Sequence, residues 1–408
     1  MKTFSLIYSD SLCVKIIKAL IVFSVTLLCM QYLEIFTISE IWLHRDINRA
    51  LNLNNILVNY FGPETTGGGN LTGPSYYIYL KLWSYIWGDL NFSTFIKTYH
   101  ISLSLSLTYF YMTINKYEGN IKSILIIMSF ILSPFIIIYS LFPSNALYVG
   151  VFHFIIMSFI YRSYILSQKC YFYTLILTIG ISVHFHGSLI IFLPTVIYLQ
   201  QKKIRQNKKI INGIAIFSAL QSPYFINKVI NKINGITPKS QESAGEYTGA
   251  IKQLLDSSLL FDFHMISILE NFALLLSGPT TIILLLFTKN IIEKKVKIGT
   301  VWKIVFIFSS VLLVWVQTYR YIFLFFLILH TVLLLSINTK QYKKSTIIFA
   351  VAGTLLFVFI NSQSILKKYP QIFSSNFIPY QSAIKISDYL INSYKIDYQT
   401  FIKQTYLI

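Results

Sequence analysis

Runs of about twenty apolar residues, separated by short basic clusters, leave this chain few folds to choose from. Roughly 20 such residues let an α-helix cross a hydrocarbon core. In lipid, only helices and closed barrels satisfy every backbone polar group. The first run, Ile16 to Leu33, follows a basic start (Lys2, Lys15, Lys18) and ends in Gln-Tyr-Leu-Glu. It lacks a small-residue cleavage site and reads as a retained first helix, not a cleaved signal peptide. Composition agrees, with 55% of the 408 residues hydrophobic and only 12% charged, against about a quarter charged in soluble domains. The expectation is an all-α polytopic membrane protein.

Cutting at the basic clusters predicts about eleven transmembrane helices, near 16–34, 96–114, 121–140, 145–161, 170–184, 185–200, 209–226, 264–287, 300–317, 319–337 and 346–361. With the N-terminus in the cytoplasm, every second connection is cytoplasmic. Those connections hold Lys116 and Lys122, Arg162 and Lys169, "QKKIRQNKK" (201–209), Lys289, Lys294, Lys295 and Lys297, and "KQYKKS" (340–345), with Glu118 and Glu293 as their acids. Short loops that carry the Lys/Arg excess are the cytoplasmic ones. The net charge of +19 thus reports orientation and calls for no nucleic-acid partner. A transmembrane domain over 1–361 is expected, with external segments at 35–95 and 227–262 and a small external tail at 362–408. The cytoplasmic loops are too short for a nucleotide-binding domain, and no GxxxxGK[ST] element occurs, which argues against ATP-driven transport by this chain alone. Cys13, Cys29 and Cys170 show neither metal nor redox spacing. Function is expected on the external face.

The first external segment holds most of the chemistry. "HRDINRAL" places Asp46 beside Arg45 and Arg49, and Arg49, three residues on, shares a helical face with Asp46. "GPETTGGGNLTGPSYY" (62–77) then sets Glu64 between Gly62-Pro63 and Gly67-Gly68-Gly69. Glycine lets backbone approach a sugar or phosphate closely, and its amides can face an anion. "SYYIYLKLWSYIWG" follows, too short to span and dense in Tyr and Trp, as suits a helix lying in the outer interface.

The order of these pieces resembles the GT-C fold glycosyltransferases, in particular bacterial relatives of the aminoarabinose and protein-mannosyl transferases. The family's first-loop Asp is matched by Asp46, and its "GG-x-L-x-G-P-x-Y-Y" element by residues 68–77. "SPFIIIYSLFPSNALYVGVF" (133–152), "ISVHFHGSLIIFLP" (181–194) and "QTYRYIFLFF" (317–326) resemble further family elements, so the likeness touches about residues 16–335. Two departures stand out: Asp46 is followed by Ile and not by a second acid, and the turn near 141–146 has no carboxylate.

The resemblance implies an inverting transferase whose donor is a sugar on undecaprenyl phosphate and whose acceptor is a periplasmic-face glycan. The O-antigen-modifying, serotype-converting type, which moves glucose onto lipopolysaccharide, suits the length and the Asn/Lys/Ile-rich composition. A flippase and a separate lipid-loading glycosyltransferase are the implied pathway partners, in a bacterial inner membrane. Such transfer needs a base for the acceptor proton and positive charge for the departing phosphate. Asp46 is the first candidate base and Glu64 the second. The alternatives are an interfacial Asp46–Arg49 pair and a solvated turn acid. Arg320, alone in a very short external turn, is a candidate phosphate ligand, with Arg45, Arg49 and Lys81 beside it. Its alternative is a helix-ending, snorkelling residue. Gly67, Gly68, Gly69, Tyr76, Tyr77, His184 and His186 are the candidate substrate-binding residues. No cofactor is required, and a divalent metal at His184 and His186 lacks acidic or Cys partners nearby. An O-antigen polymerase is the close rival, although segment 227–262 has no Arg. A lipid-linked glycan flippase would need polar residues at helix midpoints, of which His153, Glu270 and His330 are the visible ones.

Overall fold

The computed structural model describes residues 11–34, 38–39, 46–47, 49–51, 73–131, 145–166, 171–204, 207–233, 299, 301–305, 307–308, 319–336 and 378–379. These are overwhelmingly helical. In chain order the helices are α1 (Leu12–Glu34), α2 (Ser75–Trp87), α3 (Phe92–Glu118), α4 (Asn120–Ile131), α5 (Tyr148–Ile160), α6 (Phe172–Val183), α7 (Phe192–Ile204), α8 (Asn207–Ile233) and α9 (Tyr319–Ser336). Two stretches, Leu12–Gln31 and Tyr148–Ile165, are long and apolar enough to cross a membrane by length and composition. The helices expected at 264–287 and 346–361 lie outside the described residues, as do 132–140 of the third.

Helix ends follow local chemistry. Asn91 caps α3: its side chain accepts from the Thr94 amide at 3.0 Å, and the Thr94 hydroxyl accepts from the Asn91 amide at 2.8 Å. This reciprocal cap starts α3 at residue 92, one turn before the apolar run that predicts 96. α2 ends at Gly88, whose φ of 77° is the left-handed conformation glycine adopts without a Cβ clash. The segment Tyr161–Ile165 continues α5 as a π-helical turn, with the Leu166 amide bonding the Tyr161 carbonyl five residues back. The wider turn carries Arg162 to the hydroxyls of Tyr109 and Tyr171, 3.3 and 3.2 Å away.

The core is one continuous apolar body in which α3 is central, packed by α1, α4 and α5. Phe110 of α3, Phe130 of α4 and Phe154 of α5 interlock, Phe130 meeting Phe154 edge-on at 4.8 Å. α6 and α8 approach through reciprocal notches. A Cβ on Gly180 would lie 2.5 Å from the Leu220 side chain, and one on Gly213 would lie 2.6 Å from Phe172. Small residues that let helices close up are typical of membrane bundles. Outward, α1 presents Leu12, Ile16, Leu20 and Leu28, an apolar face that suits lipid.

One end of the bundle is tied by an ion pair between buried Lys122 and partly exposed Glu118. Lys122 donates to Glu118 at 3.0 Å and to the Leu335 carbonyl near the end of α9 at 2.9 Å, while Tyr161 donates to the other Glu118 oxygen at 2.8 Å. Lys18 of α1 meets Asn120 at the same end. Removing Glu118 strands the charge of buried Lys122. Glu118→Ala is therefore expected to cost about 1–3 kcal/mol of stability, less than a fully buried pair would, and Glu118→Ala/Lys122→Met to recover most of it, read by thermal unfolding in detergent. Equal losses in the single and double variants would refute this. Far from this knot in sequence, residues 38–39 and 378–379 pair as two-residue antiparallel strands, Ile38 opposite Pro379 and Ser39 opposite Ile378.

Candidate functional site

At the opposite end, segments far apart in sequence converge on α2. Its inward face buries Tyr76, Tyr77, Leu80 and Ser84, while Leu82, Tyr85 and Ile86 are exposed. A 13-residue helix with one packed and one exposed apolar face fits the interfacial helix read from the sequence. It is pinned to α3 by Trp87, whose indole donates to Thr98 at 2.9 Å, and by the hydroxyl pair of Tyr79 and Ser102. Burial pushes the Tyr79 phenol up, partly offset by the Ser102 bond.

Asp46 is 3% exposed and helical with its neighbour Ile47. The Tyr77 hydroxyl donates to its Oδ1 at 3.2 Å, and Arg49 donates to the same hydroxyl at 3.5 Å. A phenol that accepts from a guanidinium and donates to a carboxylate is polarised in one direction, which strengthens both bonds. The two motifs of the first external segment, "HRDINR" and "GPSYY", therefore meet at Tyr77. Lys81 takes a different place. Its ammonium donates to the Leu51 carbonyl at 2.9 Å and lies 5.5 Å over the Tyr85 ring, so it closes the 46–51 stretch onto α2.

The third motif arrives through the turn between α6 and α7. His184 Nδ1 pairs with the Ser75 hydroxyl at 2.7 Å. Burial lowers the imidazole's pKa. Gly73 is what lets the ring in, since a Cβ there would lie 2.4 Å from His184 Cε1. This close approach is to a protein side chain; Gly67, Gly68 and Gly69, from which an approach to sugar or phosphate is expected, lie outside the described residues. Gly73→Val is expected to displace His184 and destabilise the protein by about 1–3 kcal/mol, the usual cost of overpacking. An unchanged melting temperature would count against this contact. His186 serves its own turn: its Nδ1 meets the Ser188 hydroxyl at 2.7 Å and caps the 3₁₀ turn Gly187–Ile191. Among the described residues, no three His, Cys, Asp or Glu side chains gather as a metal site would need.

Beneath these polar groups lies an aromatic cluster centred on Tyr148, the first residue of α5. Its ring centroid is 5.4 Å from Tyr79 and Phe185, 5.8 Å from Tyr99, 5.9 Å from Tyr76 and 6.2 Å from Phe95. Tyr76, a candidate substrate residue, is fully buried in this cluster and holds α2 in place. Asn145 ties the start of α5 to the histidine turn by donating to the Phe185 carbonyl at 2.9 Å. Sequence reasoning passed over Asn145 and Tyr148, although both lie in the "FPSNALYVG" element. The signal available was a polar residue and an aromatic at the mouth of a long apolar run. Arg45, Glu64, Gly67, Gly68 and Gly69 lie outside the described residues. Arg320 belongs to the first turn of α9, and nothing further is described of its side chain.

Protein-family models, curated proteins and solved structures were all compared with this chain, and none of them matches it.

Proposed function

We propose that this protein is a polytopic membrane glycosyltransferase of the GT-C type. In this reading it moves a sugar, glucose in the serotype-converting case, from undecaprenyl phosphate to a lipopolysaccharide or O-antigen acceptor on the periplasmic face of a bacterial inner membrane. The observation that carries the reading is the Asp46–Tyr77–Arg49 relay. It joins the two sequence elements on which the resemblance rests and sets a carboxylate next to a guanidinium at one end of the bundle. The remaining helices of an eleven-span arrangement belong to the proposal. It is supported by the pairing of residues 38–39 with 378–379, which joins a strand of the proposed first external segment to one of the proposed tail, and by Lys18, Asn120 and Lys122 at the far end of α3.

In the proposed reaction the acceptor hydroxyl attacks the anomeric carbon and passes its proton to the Asp46 carboxylate. The bond from that carbon to the phosphate oxygen breaks, and undecaprenyl phosphate leaves with the electron pair. Tyr77 orients Asp46 by hydrogen bonding to one oxygen. Arginine suits the leaving phosphate because it stays charged and grips two oxygens at once. Arg49 is the described candidate, with Arg45 and Arg320 as further ones. Lys81 and His186 are assigned to holding the site together, and Ser75 with His184 to fixing the start of α2.

The test is transfer of label from undecaprenyl-phosphate-[14C]glucose to lipopolysaccharide by the purified protein in lipid. Label in O-antigen supports the reading. Absence of transfer with any lipid-phosphate sugar, together with joining of lipid-linked repeat units, would assign the protein as an O-antigen polymerase instead.

A further inference from the structure

Two cations at the Glu118 end of the bundle are held in different ways. Lys122 has the Glu118 carboxylate, whose other oxygen accepts from Tyr161. Arg162, the next residue along, has no carboxylate within ion-pair distance among the described residues. Its Nη1 donates to the Tyr109 hydroxyl at 3.3 Å and its Nη2 to the Tyr171 hydroxyl at 3.2 Å, and its Cζ lies 4.9 Å from the centre of the Tyr171 ring. Phenols are neutral, so they orient the guanidinium without cancelling its charge. An uncancelled charge beside hydrocarbon is costly and marks a site by default.

The phenols also face outward chemically. Each oxygen accepts from the guanidinium, which leaves each O–H to donate, and neither O–H has an acceptor among the described residues. Two polarised hydroxyls and the remaining N–H groups thus surround one positive charge with donors, which is what an anionic oxygen needs. The arrangement is fixed in advance. The Tyr171 amide donates to the Ser163 hydroxyl at 3.3 Å, and the Phe159 ring lies between the phenols, 6.0 Å from each. Tyr109, Arg162 and Tyr171 are all half-buried, so each keeps surface that a ligand can reach.

The surroundings decide which anion fits. α3 and α6 both pack on α5, and more closely than on each other, so the outer face of α5 floors a groove between them. Leu105, one turn from Tyr109 on the same face of α3, is 54% exposed, and Lys116, two turns the other way, is exposed as well. Apolar surface, then a phenol–guanidinium cluster, then an amine is the order of acyl chain, phosphate and membrane surface. We infer that the groove between α3 and α6 binds an anionic phospholipid, its headgroup phosphate accepting from Arg162, Tyr109 and Tyr171. Basic pockets between membrane helices hold such headgroups on the cytoplasmic side, where the Lys/Arg excess of the sequence places this loop. The inference rests on the membrane placement in the proposed reading and not on its sugar chemistry, whose candidate base lies at the opposite end of α3.

The test is ligand retention by the purified full-length protein in detergent, read by native mass spectrometry during titration with phosphatidylglycerol, phosphatidylcholine or inorganic phosphate. Wild type is expected to hold one phosphatidylglycerol at least about tenfold more tightly than phosphatidylcholine, whose choline offsets the phosphate charge. Arg162→Gln and, separately, Tyr109→Phe/Tyr171→Phe should each weaken phosphatidylglycerol binding about tenfold, as loss of charge-assisted bonds does, with phosphatidylcholine unchanged. The phenylalanine pair keeps both rings on Phe159 and decides the matter if the arginine variant does not fold. Equal affinity for the two lipids, or phosphatidylglycerol affinity unchanged in the phenylalanine pair, would overturn the inference. Displacement of the lipid by equimolar inorganic phosphate would overturn it too, in favour of a free phosphate. Selective retention of phosphatidylglycerol by a protein that transfers no sugar would remove the transferase reading and uphold this one.

Discussion

Asp46→Asn is expected to lower sugar transfer about 100- to 10,000-fold, the range that a positioned general base contributes, while leaving the melting temperature near wild type. Asparagine keeps the size of the side chain, and its carbonyl still accepts the Tyr77 hydroxyl, so the relay to Arg49 survives without a group able to take the acceptor proton. Tyr77→Phe removes the bond at 3.2 Å but not the carboxylate, so its loss of activity should be smaller. Glu64→Gln completes the comparison, because it asks whether the second acid of the loop shares the work. A wild-type rate for Asp46→Asn with strong loss for Glu64→Gln would move the base to Glu64. Wild-type rates for both would remove the first external segment from the chemistry.

The largest effect on stability is expected at Tyr148. Five aromatic rings contributed by α2, α3 and the histidine turn surround it at centroid distances of 5.4 to 6.2 Å. Removing the ring leaves a cavity that side chains from three separate elements cannot collapse into together. Truncating a buried aromatic to alanine costs about 3–5 kcal/mol, and edge-on pairs add to simple burial. Tyr148→Ala should therefore unfold the site end of the bundle first, seen as faster proteolysis within residues 73–92 and a lower melting temperature. Tyr148→Phe keeps every ring contact and should stay within about 1 kcal/mol of wild type. Equal losses in the two variants would show that the hydroxyl, and not the ring, holds the cluster.

The helices of this protein were legible because helix formation in an apolar setting is local. Each apolar run announces a helix, and the expected 16–34, 170–184 and 319–337 correspond to Leu12–Glu34, Phe172–Val183 and Tyr319–Ser336. Local chemistry that hydropathy ignores moved the other ends. The Asn91–Thr94 cap lengthened α3 at its start, and the Tyr161–Ile165 turn widened to π geometry without any sign in composition. The short aromatic stretch at "GPSYY" was legible as a separate helix too short to span, and Ser75–Trp87 forms it.

The site was only half legible. Sequence pointed to Asp46, Arg49, Tyr77 and His184 one by one, from residue type and from family-like motifs. It named Lys81 as a candidate phosphate ligand and His186 as a candidate substrate-binding residue, and gave no sign that their side chains also bond the Leu51 carbonyl and the Ser188 hydroxyl. Sequence by itself determined that the described segments are helical and that the chain is apolar, because backbone satisfaction and side-chain transfer energies act residue by residue. Tertiary structure alone decided that Tyr77 stands between Asp46 and Arg49, that Ser75 meets His184 across 109 positions, and that Tyr148 holds them over one core. Those contacts need atoms placed within a few tenths of an ångström, and only the packing of helices distant in sequence fixes positions so closely.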